Sequence, residues 1–366
     1  MFDPVSLTCF LLSISQLWRI TEASGADRPF PSWSFQNPNY KMEWNTDPPI
    51  YCNLQPTLDI TSDYDCIVIG IIENENHEDD EEKASASSDF GVLFDQLDGK
   101  YKGILKQVIS NDDNKDKVDS RKRKKKEEWQ EVCNFCRVKI DGSMEKQRLV
   151  ICRIQGDPTK DAGKMGRTLG AKLAARVKSD DKKWALLLPP PSTEDTENTD
   201  SPLVGAFLSE LTAALWADLY KDKRFKGTRK SSTEPDDTED GSPITLDLIW
   251  DHPVVTEPFK VTERETPAAF LERGRASIAI GEALGSGMVL AKDIVNAPHN
   301  VLNSVSLADT AQRLAAENPR LSCQIMDIDD CEKHGMGAYL AVARGSETPP
   351  KFIHLIYRPP PSKRKT

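Results

Sequence analysis

Residues 291–301 read Ala-Lys-Asp-Ile-Val-Asn-Ala-Pro-His-Asn-Val, and residues 336–358 read Met-Gly-Ala-Tyr-Leu-Ala-Val-Ala-Arg-Gly-Ser-Glu-Thr-Pro-Pro-Lys-Phe-Ile-His-Leu-Ile-Tyr-Arg. In the first stretch Pro298 pushes Ala297 out of the helical region, so a helix running into it ends near Asn296. Upstream, Thr266 suits an N-cap and Pro267 the first helical position. Between these limits Ala276, Ile280, Ala283, Gly287, Leu290 and Ile294 recur at alternating spacings of four and three. That spacing predicts one long helix over 264–296 with a small-residue face suited to close packing. We read it as a connection between two domains.

Downstream, the sequence predicts a helix over Ser306–Glu317, a strand over Ser322–Asp327 and a short helix over Asp329–His334. Two further apolar runs follow, Tyr339–Ala343 and Phe352–Tyr357. Residues 297–366 thus read as the opening of a second α/β domain, short for an independent core. Upstream, residues 61–255 alternate strand and helix. Strands are expected at Cys66–Glu73, Val132–Ile140, Leu149–Ile154, Trp184–Leu188 and Ile244–Trp250. Helices are expected over Leu93–Ile109, Gly163–Val177 and Leu203–Tyr220, the last with Leu208, Leu211, Leu215 and Leu219 on one face. This order implies an α/β fold with a mixed or largely parallel sheet covered by helices. Residues 1–60, rich in Pro, Asn and Trp, read as an irregular extension.

A chain of 366 residues accommodates two domains. Its 38% hydrophobic and 29% charged content fits globular domains separated by polar insertions. The net charge of −10 argues against general nucleic-acid affinity. The basic run Arg121–Lys126 lies among Asp and Glu and reads as a solvated insertion rather than an import signal, and Lys363-Arg364-Lys365 is a second small basic patch. Several of the eight cysteines sit in apolar runs, which fits reduced core thiols in an intracellular, cytoplasmic protein. No run reaches the ~18 apolar residues of a membrane span. A cleaved targeting segment is the alternative: Val5–Trp18 is mostly apolar and Ala23-Ser24-Gly25-Ala26 resembles a cleavage site, but Asp3 stands where Lys or Arg is expected.

Candidate chemistry is sparse. Cys133-x-x-Cys136 is half of a zinc framework without a second pair, and Cys331-x-x-His334 with Cys323 is similarly incomplete. His334 reads as the end of a short helix before Gly335, and His354 as a buried, satisfied histidine on the strand face of Phe352 and Ile356. Gly281, Gly285 and Gly287 lie within the helical repeat and read as helix packing rather than a dinucleotide loop. Gly163–Gly170 opens a helix that could hold an anion on its N–H groups.

Asn296-Ala297-Pro298, Met336-Gly337-Ala338-Tyr339-Leu340 and Phe352-Ile353-His354-Leu355 recur in the right order to resemble the leucine aminopeptidase (cytosol aminopeptidase) family, in its plant-like branch. The match is strongest over residues 264–359, and the N-terminal half is similar to the family's macro-like domain. Macro domains bind ADP-ribose-type ligands, an activity that likeness of fold does not transfer. The resemblance implies a metallo-exopeptidase that releases N-terminal residues, preferably hydrophobic ones, from peptides with two divalent cations (Zn²⁺, Mn²⁺ or Mg²⁺). It also implies hexamers. The family's metal site lies in a Val-Gly-Lys-Gly-x-x-x-Asp-(Ser/Thr)-Gly-Gly segment and an Asn-Thr-Asp-Ala-Glu-Gly-Arg segment, neither of which occurs before Thr366. No catalytic, cofactor-binding or metal-binding residue can therefore be carried over. The expectation is a truncated form, inactive alone and binding no metal, with doubtful assembly. The alternative is a non-catalytic module that associates with full-length subunits or another partner.

Overall fold

The apolar run Cys66–Glu73 becomes the strand around which the larger sheet is built, because it is flanked by a parallel neighbour on each side. A computed structural model describes residues 44, 48–56, 58, 63–73, 92–110, 129–138, 144–157, 160–178, 181–188, 202–222, 224, 243–250 and 267–359. They fall into two compact units, one within 43–302 and one within 303–359.

The first unit runs β1 (Ile50–Gln55), β2 (Cys66–Glu73), α1 (Val92–Lys100), β3 (Trp129–Val138), β4 (Met144–Gln155), α2 (Ala162–Ala174), β5 (Lys183–Leu188), α3 (Pro202–Leu219), β6 (Ile244–Trp250) and α4 (Pro267–Asn296). Its sheet has the order β1-β6-β5-β2-β4-β3, parallel throughout except for β3, which pairs antiparallel with β4. The expected α/β architecture is therefore present.

Register explains the core. Leu54, Leu248, Leu186, Val68 and Val150 stand side by side across five strands, on the face covered by Leu169 and Leu173 of α2 and Phe207, Leu208 and Leu211 of α3. One residue further along, Ile249, Leu187, Ile69 and Ile151 form the matching row on the opposite face, against Leu93, Phe94 and Leu97 of α1. Strands buried on both faces read as continuous apolar runs, which is why β2, β4 and β5 lack alternation. Each such side chain contributes roughly 1.5–3 kcal/mol by its burial.

The reading of residues 1–60 as irregular is corrected at Ile50–Gln55, which forms β1 beside β6. Its signal is a brief alternation: Ile50, Cys52 and Leu54 are buried while Tyr51 and Asn53 are exposed. Proline and asparagine around it mask a pattern only three repeats long.

The long helix starts at the expected Pro267 and ends at the expected Asn296, with 264–266 outside the described residues, but its packing face is not the one expected. Ile280, placed on the packed face by its spacing, is 57% exposed. The packed face instead carries Phe270, Gly274, Ile278, Gly281, Gly285, Val289 and Asp293. A Cβ on Gly281 would stand 2.4 Å from the Ser209 carbonyl oxygen, so α3 approaches α4 closely only because glycine is there. The same device works on the other flank of α3, where a Cβ on Gly166 would lie 2.2 Å from the Phe207 carbonyl oxygen. Helix α3 is accordingly buried well beyond the single leucine face read in its sequence, with Phe207, Ala213 and Ala214 also covered.

The second unit contains α5 (Ser304–Glu317), β7 (Leu321–Met326), α6 (Ile328–Lys333), α7 (Gly337–Ala343) and β8 (Phe352–Tyr357). Asn303 caps α5: its side chain accepts from the Val305 and Ser306 N–H groups, and the Ser306 hydroxyl accepts from the Asn303 N–H. This capping box starts the helix two residues before the expected Ser306. Strands β7 and β8 pair antiparallel. Buried side chains here are few: Ala308, Thr310, Ala311, Cys331 and Leu340.

Candidate functional site

The last turn of α4 carries a cluster of ionic and hydrogen-bonded side chains. Asp293 is fully buried and accepts from the Tyr220 hydroxyl at 2.8 Å. The Arg224 guanidinium stands 3.1 Å from an Asp293 carboxylate oxygen and also donates to its backbone carbonyl at 2.9 Å. Asp222 holds the other side of Arg224 in a bidentate pair, at 3.0 and 2.9 Å. That pairing holds the Asp222 carboxyl down to about 2, the charged form being stabilised by the guanidinium. Burial first, then the neighbouring Asp293, pushes the Tyr220 hydroxyl above its ordinary range. Lys292 donates to the Ala217 carbonyl at 2.5 Å, with its ammonium above the Tyr220 ring. Each charge has a partner, so the cluster fixes the end of α4 to the end of α3. It offers no group poised to move a proton.

A second ionic feature ties the N-terminal ends of the strands. Arg148 and Asp181 form a buried pair, and the Arg148 guanidinium stacks over Trp184 at 5.1 Å. Asp181 also accepts from the Lys178 N–H at 2.7 Å. This too is structural.

The residues singled out in the sequence do not converge. His334 ends α6, its backbone N–H bonded to the Asp330 carbonyl, and Gly335 follows at φ 68 in the left-handed conformation that favours glycine. Cys331 is buried, which pushes its thiol up, and Cys323 is half-buried. The expected buried His354 is corrected: it is exposed on β8, because little packs over that strand. Cys133 and Cys136 lie on β3 opposite Leu149 and Lys146, with their side chains outside the described residues. Arg121–Lys126 and Lys363–Lys365 also lie outside them. Gly166 and Gly170 are taken up by packing on α3, and Gly281 and Gly285 by packing on its other flank, whereas Gly287 would meet nothing within 4 Å. Among the described residues, no group of three or more His, Cys, Asp or Glu is gathered to hold a metal ion.

One feature was missed in the sequence. Pro48, Tyr51, Trp216, Ala279, Glu282, Ala283 and Ser286 line an open groove of about 450 Å³. Burial pushes the Glu282 carboxyl up, and the Trp216 Nε1 has no hydrogen-bond partner among the described residues. Glu282 is the one charged residue between Ala276 and Ala291, a signal the sequence did offer.

Comparison with known proteins bears on both units. Residues 289–366 match the catalytic domain of the cytosol aminopeptidase family. A probable cytosol aminopeptidase of Synechococcus elongatus is 33% identical over 270 residues, 74% of this chain and 44% of that protein. Over the matched residues the chain is similar to the cytosol aminopeptidase family. A probable cytosol aminopeptidase of Rippkaea orientalis is 40% identical over 124 residues, 33% of this chain and 25% of that protein. A variant of tomato leucine aminopeptidase superposes with a TM-score of 0.56 at 22% identity, covering 90% of this chain and 55% of its own, which shows a shared fold. The chain thus spans less than half the length of the Synechococcus elongatus relative. The matched residues start at Val289, on the packed face of α4, and include Lys292, Asp293 and the described residues of the second unit.

Proposed function

We propose that this chain serves leucine-aminopeptidase-type hydrolysis, the release of N-terminal residues, hydrophobic ones preferred, from peptides, and that residues 1–366 alone do not catalyse it. The match of residues 289–366 to the catalytic domain of the cytosol aminopeptidase family carries this reading. The family chemistry calls for two divalent cations, Mn²⁺, Zn²⁺ or Mg²⁺, and paired cations need several carboxylates to offset their charge. The described residues do not fit such a centre, since no acidic or histidine cluster forms among them. No step is assigned to them. Hydrolysis of leucine amide by the purified chain with Mn²⁺ is expected to equal the metal-free control, and turnover above that control would overturn the inactivity.

A second reading is a non-catalytic role in which the chain associates with full-length subunits or another partner. The exposed apolar residues Leu355, Ile356 and Tyr357 on β8 favour it. A homo-oligomer of the complete enzyme and a cytoplasmic location belong to the same proposal. The location is supported by the relatives' description as cytosol aminopeptidases. No helix among the described residues is long and apolar enough to cross a membrane. Native mass of the protein from its source cells measures the assembly directly.

A further inference from the structure

We propose that the groove between β1, α3 and α4 is a binding site for a small organic cation, an ammonium carrying an apolar body, with Glu282 as its counter-charge and Tyr51 and Trp216 as its aromatic walls. All of its lining residues belong to the first unit. Ala279, Glu282, Ala283 and Ser286 follow at spacings of three, four and seven and so form one stripe of α4. Trp216 reaches this stripe because α4 has glycine beneath it: a Cβ on Gly285 would stand 2.4 Å from the Trp216 Cβ and 2.7 Å from its Cγ. Pro48 and Tyr51 close the groove from the start of β1, and Tyr51 is 47% exposed.

The lining selects the charge of the ligand. Glu282 is half-buried, and burial alone acts on its carboxyl, with neither a hydrogen bond nor a cationic neighbour among the described residues. Every other charged group of the neighbouring cluster on α4 has its partner, as Asp293 has Arg224. A carboxylate drawn out of water and left unpaired is costly, and a cation entering the groove offsets that cost. No Lys, Arg or His lines the groove among the described residues, so nothing there holds an anion. The Trp216 Nε1 is buried, which leaves aromatic carbon as what Trp216 presents. The Ser286 hydroxyl donates to the Ala283 carbonyl at 2.9 Å, so its oxygen faces the groove only as an acceptor. Carboxylate, acceptor oxygen and two aromatic rings are the surroundings an organic ammonium prefers. One carboxylate is too few for a divalent metal ion, which takes six or more oxygen ligands. A volume of about 450 Å³ is that of a small-molecule site.

The probe is benzyltrimethylammonium, with neutral benzyl alcohol and anionic phenylacetate as controls, titrated into the full 1–366 chain by calorimetry. Saturable binding of the ammonium and none of either control is expected. Glu282→Gln should weaken it by about tenfold or more, the loss of one partly desolvated charge pair. Tyr51→Ala should weaken it by about two- to fivefold, the worth of one exposed cation–π contact. Glu210→Gln, on the far flank of α3, should leave it unchanged. Without ligand, Glu282→Gln should melt no lower than the parent, because the carboxylate holds nothing in place; a lower melting temperature would make Glu282 a structural residue and overturn the proposal. If that variant fails to fold, Ser286→Lys decides. It sets a competing ammonium on the exposed position four residues after Glu282, the favourable order for a helical ion pair, and should abolish binding. No saturable binding by the parent, equal binding of benzyl alcohol, or indifference to both Glu282→Gln and Ser286→Lys would each refute the site. None of these readings depends on peptide hydrolysis.

Discussion

Removing the Asp293 carboxylate should cost the first unit about 2–4 kcal/mol. In Asp293→Ala, Arg224 loses one of two carboxylates and Tyr220 loses its buried acceptor. Breaking a buried pair from one side typically costs about 3–5 kcal/mol, but Arg224 keeps Asp222, which lowers the lost charge-assisted bond to about 1.5–3. The stranded Tyr220 hydroxyl adds roughly 1 kcal/mol. Against a total stability of about 5–15 kcal/mol, that is a large fraction. Urea unfolding followed by tryptophan fluorescence reads it directly, since Trp129, Trp184, Trp216 and Trp250 all belong to this unit. The midpoint should fall with the slope unchanged. The exposed pair of Arg167 and Glu210 supplies the contrast: Glu210→Ala should cost about 1 kcal/mol or less. If Asp293→Ala is no more costly than Glu210→Ala, the cluster at the end of α4 is not the fastening described here.

Other outcomes follow from the same geometry. Gly281→Ala should destabilise by about 1–3 kcal/mol through its clash with the Ser209 carbonyl, whereas Gly287→Ala, with nothing to meet, should stabilise by up to about 1 kcal/mol through helix propensity; thermal melts of the two should move in opposite directions. Because Arg224 depresses the Asp222 carboxyl to about 2, the stability it contributes is fully present above an unfolded value near 4 and is lost as pH falls from about 4 to about 2. Arg224→Met should flatten that part of the stability–pH curve. The Cys52 and Cys66 thiols, pushed up to about 12 by burial, should resist a thiol reagent at pH 8 until the chain is unfolded, while half-buried Cys323 labels in the native state; peptide mapping separates them.

Punctuation by proline made the ends of α4 legible, since Pro267 opens it and Pro298 closes it. Its packing face was not, because 276–291 is apolar nearly all round and periodicity cannot choose between two apolar faces. Close approach chose it, and only the three-dimensional fold shows that α3 lies over Gly281 and Gly285. Strands β2, β4 and β5 were visible as apolar runs, whereas β1 depends on a partner far along the chain that no local window contains. His354 was misplaced for a related reason: an apolar strand implies a cover, and β8 has little. The groove beside Glu282 draws on residues from Pro48 to Ser286 and has no local pattern at all. The family markers were readable because they are short, ordered strings around helix ends and a strand.

Strand β1 meets β6, its only strand neighbour among the described residues, across a wide interval of chain: Asn53 bonds to Asp247, 194 residues later. At a ribosome adding about 5–20 residues per second, Leu54 emerges roughly 10–40 s before Leu248. Until then the core of the sheet can assemble from β2, β4 and β5, but its first-made strand has nowhere to go. Helix α4, whose Gly274 lies against Leu54, is later still. The nascent chain thus carries an unmated apolar strand until β6 has been made, and the earliest residues of the sheet are the last to settle.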